Sequence, residues 1–180
     1  PTDFVVDDDA AVRDSLRMLL KSVGLPVEVF ESGQEFLDGD RDDRPGCLVL
    51  DIRMPGMSGL ELQVKLNERH SILPIIFITG HGDVPMAVEA MQAGAVDFIQ
   101  KPFRDQDLLD RINQALEKDA GSRRMLAERN MIRKRLESLT PREKEVLDLV
   151  VAGKANKVIA GDLNLSQRTV EIHRARVMEK

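Results

Sequence analysis

Four apolar runs in this sequence end on, or just before, side chains that can do chemistry. Phe4-Val5-Val6 leads into Asp7-Asp8-Asp9, and Leu48-Val49-Leu50 into Asp51. Ile75-Ile76-Phe77-Ile78 leads into Thr79, and Val96 to Ile99 is followed by Lys101. Clustered carboxylates raise one another's pKa and repel unless a cation sits among them. Hard oxygen ligands with few or no histidines nearby favour Mg²⁺, which uses a couple of carboxylates and keeps several waters. An aspartate in such a site can be the nucleophile that accepts a phosphoryl group. An ammonium and a hydroxyl would offset the charge on the transferred group. Taken singly, each residue has an ordinary reading as a helix cap, a turn former or part of a solvated loop.

The chemistry exists only if the fold carries these ends to one rim. The first 120 residues alternate strand and helix signals. The strands are Phe4–Val6, Val27–Phe30, Leu48–Leu50, Ile75–Ile78 and Val96–Ile99. Helices are expected from about Ala10 to Val23, after Ser32, after Ser58, from Val84 to Gln92, and from Asp105 to about Asp119. Apolar residues on one face and capping residues mark them. Five βα units in order give a doubly wound, five-stranded parallel sheet with helices on both faces. Functional groups then gather at the carboxyl ends of the strands, near a topological switch point. Asp9 is read as the exposed cap of the first helix. His81 is expected exposed after the fourth strand, with no metal role. Cys47, the only cysteine, reads as a small core residue.

Charge divides the chain. Residues 1–104 carry 10 Lys/Arg against 18 Asp/Glu, whereas residues 140–180 carry 8 against 6. All six Phe lie in the first part. The division is therefore drawn as a phosphoacceptor domain at 1–119, a helical linker at 120–138 and a small all-α domain at 139–180. Ala120-Gly121-Ser122 is a weak point in the linker. Its thin stripe of Met125, Ile132, Leu136 and Leu139 holds fewer than three clean heptads, so a solvated connecting helix is favoured over a coiled coil.

In the last part, Thr140, Pro141 and Glu143 form a capping box with proline at N1, opening a helix that Gly153 ends. A second helix covers about Asn156 to Leu163, and Ser166 caps a third. Asn164 stands where a left-handed turn residue is needed. This is a helix-turn-helix pattern. The third helix is expected to expose Arg168, His173, Arg174, Arg176 and Lys180, which suits phosphate contact and groove entry. Without aromatics there is no stacking platform, so duplex DNA is a better partner than single strands. Val158, Ile159, Leu163, Val170 and Val177 are read as core.

"FVVDDD", "LVLDIRMPGMSG", "FITGHGD" and "DFIQKPF", over residues 3–119, resemble the receiver domain of two-component response regulators. "LTPREKEVL" and "NKVIAGDLNLSQRTVEIHRARVMEK" resemble the LuxR-type output domain of the NarL/FixJ class. The resemblance implies Asp51 as phosphoacceptor, Asp8 as a direct Mg²⁺ ligand, Asp7 acting through water and the Arg53 backbone carbonyl completing the metal site. It implies Thr79 and Phe98 as a switch pair, Lys101 as the phosphate-binding lysine, and a cis Lys101-Pro102 bond. In the output domain it places Glu171, Ile172 and Ala175 on base edges, with Thr169, Arg168, Arg176, Asn156 and Lys157 on the DNA backbone. It also implies a cognate sensor histidine kinase, RNA polymerase, a homodimer formed on phosphorylation, and a role as activator. The chain stops at Lys180, before the fourth helix such domains carry.

No apolar run approaches the roughly 20 residues of a membrane span, no secretory signal opens the chain, and one cysteine suits a reducing cytoplasm. Enzymatic turnover is not expected beyond self-phosphorylation and self-dephosphorylation at Asp51. A Mg²⁺-dependent aspartyl phosphatase would want a second Asp two residues after the nucleophile, where Arg53 stands. A binding module that is never phosphorylated would not need Asp7, Asp8, Asp51, Thr79 and Lys101 together.

Overall fold

The computed structural model describes residues 1–39, 43–80 and 84–179. They form two compact units, Pro1–Arg124 and Met125–Lys180. In the first, strands β1 (Thr2–Val6), β2 (Val27–Phe30), β3 (Gly46–Asp51), β4 (Ile75–Thr79) and β5 (Asp97–Gln100) alternate with α1 (Ala10–Ser22), α2 (Gly33–Asp38), α3 (Gly59–Glu68), α4 (Val84–Gln92) and α5 (Asp105–Glu137). All strands pair in parallel in the order β2-β1-β3-β4-β5. The order reverses at β1, so the crevice beyond β1 and β3 is the switch point that the alternation predicts.

Side chains that alternate along the strands feed two cores. Phe4, Phe36, Leu48, Leu50 and Phe77 lie in one, and Val5, Leu20, Val49, Ile76, Ile78 and Ile112 in the other. Phe4, Phe30 and Phe36 stack edge to face or tilted, with centroids 5.4–6.4 Å apart. Caps set the helix starts. Asp9 accepts the Ala11 N–H at 2.8 Å, and Ser58 with Glu61 closes a full capping box on α3. Gly24 and Gly94 end helices at φ +78° and +100°, where a side chain would be strained.

One expectation fails. Ala120-Gly121-Ser122 does not interrupt α5, which runs unbroken from Asp105 to Glu137. Gly121 costs about 1 kcal/mol in a helix interior, but a clamp spans it. Arg123 Nε donates to both Asp119 oxygens at 2.9 Å, and Asp119 Oδ2 accepts the Gly46 N–H at 3.1 Å. The Arg123 guanidinium also donates to the carbonyls of Asp43 and Arg44 at 2.7 Å. The helix is thereby held against the entry to β3 past residue 119. Among the described residues no helix is long and apolar enough to cross a membrane.

In the second unit, α6 (Pro141–Val151), α7 (Asn156–Leu163) and α8 (Gln167–Glu179) pack around Val146, Ile159, Ala160 and Val170. The Thr140–Glu143 capping box forms as expected. Asn164 turns the chain at φ 54°, ψ 48°.

Candidate functional site

Asp7 follows β1 and Asp51 ends β3, on adjacent strands. Both are buried, at 2% and 9% exposure. Lys101, just past β5, reaches across, with Nζ 3.4 Å from Asp7 Oδ2 and 3.3 Å from Asp51 Oδ1. The remaining oxygens are held by backbone: the Asp9 N–H donates to Asp7 Oδ1 at 2.8 Å, and the Arg53 N–H to Asp51 Oδ2 at 2.9 Å. The rim therefore holds two desolvated carboxylates against one ammonium. Burial, followed by the nearby Asp7 charge, pushes the Asp51 pKa above the usual carboxylate value, against the pull of Lys101. Burial works to lower the Lys101 pKa, but the two carboxylates outweigh it and hold it above normal.

Thr79 is buried at the end of β4 and its hydroxyl donates to the Ile99 carbonyl at 3.4 Å. Its own carbonyl accepts the Lys101 N–H at 2.8 Å. Phe98, paired in register with Phe77, is half-buried against the first core. The Lys101-Pro102 bond is cis. Asp8 is exposed beside Asp7, and the Arg53 side chain is exposed. His81 lies outside the described residues.

No group of three His, Cys, Asp or Glu among the described residues is gathered tightly enough to enclose a metal ion. The donor chemistry nevertheless suits Mg²⁺. Asp7 and Asp51 both present an oxygen to one cation already, and Mg²⁺ needs only one or two carboxylates and fills its octahedron with water.

Sequence reasoning missed Gly59. A Cβ there would stand 2.3 Å from the Asp51 carbonyl oxygen and 3.0 Å from the Phe77 ring. Its N–H donates to the Ile52 carbonyl at 2.9 Å. Only glycine lets α3 start so close to the strand end carrying Asp51. The available signal was a glycine directly after the capping Ser58.

In the second unit, Val170 is fully buried, so residues three, four and seven positions on follow it inward. That phase corrects two expectations, and the exposure of Val158 on α7 corrects a third. His173 is half-buried, with an Nδ1 that has no partner among the described residues. Arg174 is half-buried and donates to Asn156 Oδ1 at 2.8 Å, so these two side chains brace α8 against α7 rather than stand free. Val158 is 48% exposed and is not core. Ile159 and Val170 are core, while Leu163 and Val177 are half-buried. Arg168, Glu171, Ile172, Ala175 and Arg176 share the outward face of α8. Thr169 is partly covered, with its hydroxyl 2.8 Å from that of Ser166. Lys157 is exposed on α7, and Lys180 lies outside the described residues.

A doubly wound sheet with carboxylates and a lysine at its switch point, joined to a helix-turn-helix, defines a receiver with an output domain. Residues 4–113 match the response regulator receiver domain, and residues 137–180 match the bacterial regulatory proteins of the luxR family. The chain is 50% identical to the transcriptional regulatory protein TdiR of Thauera aromatica, over 99% of this chain and 79% of the relative. It is also 50% identical to the transcriptional regulatory protein FixJ of Rhizobium meliloti, over 99% of this chain and 88% of that protein. The response regulator StyR superposes with a TM-score of 0.93 at 49% identity, covering 99% of this chain and 90% of StyR. The chain belongs to the two-component response regulators of the NarL/FixJ class, with a receiver and a LuxR-type DNA-binding domain.

Proposed function

We propose that this protein is a transcriptional activator switched by phosphorylation of Asp51. The observation that carries the reading is the Lys101 ammonium placed between the buried carboxylates of Asp7 and Asp51. A sensor histidine kinase, or a small phosphodonor, supplies the phosphoryl group. An Asp51 oxygen forms the new bond to phosphorus as the bond to the donor's leaving group breaks, and hydrolysis later restores the carboxylate. Asp7, Asp8, Asp51 and the Arg53 backbone carbonyl would hold Mg²⁺, which when bound neutralises charge on the transferring group. Lys101 balances part of the remaining charge. The Thr79 hydroxyl leaves Ile99 for the phosphoryl oxygens, and Phe98 follows, reshaping the α4–β5–α5 face.

In the output unit, Glu171, Ile172 and Ala175 read base edges, while Arg168, Thr169, Arg176 and Lys157 contact phosphates. Arg174 and Asn156 act first on each other and set the angle of α8, and His173 and Lys180 add to the DNA contact. The protein works in the cytoplasm on promoter DNA, as a homodimer once phosphorylated, and recruits RNA polymerase.

The test is acid-labile, hydroxylamine-sensitive phosphate incorporation with Mg²⁺ and a small phosphodonor, repeated on Asp51→Asn. Equal labelling of the variant would sink the assignment.

A further inference from the structure

Every residue from Met125 to Glu137 is exposed, so this stretch of α5 has no packed face. A solvated helix of that kind is normally supported by opposite charges four residues apart. Here Arg129 and Arg133 occupy such a pair with like charge, a local cost without a local return. The side chains of Arg129, Arg133, Lys134 and Arg135 make no hydrogen bond or ion pair with the described residues, a spare-charge pattern that the recognition helix shows less strongly. On α8 only Arg168 and Arg176 are similarly unpaired, because Arg174 is taken up by Asn156.

At about 100° per residue, Arg129 and Arg133 lie about 40° apart on one face, while Lys134 and Arg135 point about 100° to 160° away from them. The apolar stripe of Met125, Ile132 and Leu136 is 71%, 57% and 46% exposed, and Arg129 interrupts it. In a pairing seam that position would set arginine against arginine, so a second copy of the helix fits poorly. A polyanion fits well. We infer that the Arg129–Arg133 face is a second DNA surface, which contacts backbone phosphates flanking the site read by α8. The inference rests on the DNA-binding reading and adds to it a sequence-independent contact outside the helix-turn-helix.

The experiment measures the affinity of the full chain for a random-sequence duplex between about 50 and 200 mM salt, with and without a small phosphodonor. Each neutralised phosphate contributes about 0.9 to the slope of log K against log salt. Arg129→Ala/Arg133→Ala should lower the slope by about 1.8. Its deficit relative to the parent should shrink on the order of 10-fold across that range. Alanine favours the exposed helix, so folding is retained. The double variant Arg129→Lys/Arg133→Lys should hold the parent slope, and so should Arg135→Ala. A parental slope in the alanine variant overturns the inference while leaving the DNA-binding reading intact. Failure of the parent to bind any duplex at 50 mM overturns both. If the alanine variant keeps the slope but loses self-association in sedimentation, or binding to anionic phosphatidylserine vesicles, the face belongs to a second copy or to a lipid surface and the inference is wrong.

Discussion

Gly59 and Asp51 touch so closely that a methyl group on the glycine would lie 2.3 Å from the Asp51 carbonyl oxygen. The glycine opening α3 therefore fixes the end of β3, and with it the carboxylate proposed to take the phosphoryl group. Gly59→Ala must push backbone against backbone. It should cost about 1–3 kcal/mol and slow labelling of Asp51. Gly121 is the contrast, since nothing stands within 4 Å of the site of its missing Cβ and it lies inside α5. Gly121→Ala should stabilise by about 0.5–1 kcal/mol and leave labelling unchanged. Urea unfolding of the two variants should shift in opposite directions.

Lys101 should matter twice. Removing its charge in Lys101→Ala takes away a stabiliser of the transferred group, and labelling from a small phosphodonor should fall by about 10²-fold. It also removes the charge that opposes the burial of Asp51. The nucleophile is the carboxylate, so the parent's rate should fall as pH drops through the raised Asp51 pKa. In Lys101→Ala that inflection should move to higher pH. A pH–rate profile with an unmoved inflection would count against the ion pair as the tuning element.

Asp3 lies at the opposite end of β1, 1% exposed, with an Oδ1 that has no partner among the described residues. Burial pushes its pKa up to about 7. The folded state then holds a proton that the unfolded chain has lost, so stability is fully present below pH ~4 and declines as pH rises to ~7. The slope is at most about 1.4 kcal/mol per pH unit, and the contribution is gone above pH ~7. Asp3→Asn keeps the neutral form at every pH. Its stability relative to the parent should rise between pH 5 and pH 8 in urea titrations; an equal offset at both would contradict the shift.

These sites differ in how far sequence alone reveals them. Alternating apolar runs and capping residues made the βα order readable, because strand and helix periods and caps are local physics. Asp7, Asp51, Thr79 and Lys101 were readable because each ends its strand or directly follows it. The continuity of α5 was not. The Asp119–Arg123 pair that bridges Gly121 needs Gly46 and the carbonyls of Asp43 and Arg44, which are distant in sequence. The Gly59 contact is likewise a distance between two backbones. Arg174 was misjudged because basic character suggested an outward side chain, while the helical phase set by Val170 turns it inward.

The clamp itself can be tested. Arg123→Ala leaves the Asp119 carboxylate buried without its cation, which should cost about 3–5 kcal/mol in the first unit. Arg123→Ala with Asp119→Asn should recover part of that loss, because no buried charge remains. Hydrogen exchange at the Gly46 amide, which donates to Asp119, should quicken in the single variant. Protection of Gly46 equal to the parent would show that the pair does not hold β3 to α5.

Two arginines on α8, two residues apart, should behave differently. Arg176 is exposed on the outward face, so Arg176→Ala should weaken specific and nonspecific duplexes alike. The slope of log K against log salt should fall by about 0.9. Arg174 is tied to Asn156 at 2.8 Å, and Arg174→Ala should lower the thermal stability of the second unit by about 1 kcal/mol. Its effect on DNA should come through the angle of α8, as lost discrimination between sequences with little change in salt slope. Binding isotherms on one specific and one random duplex at several salt concentrations separate the two. A full phosphate-sized slope loss for Arg174→Ala would mean that the arginine leaves Asn156 for the DNA.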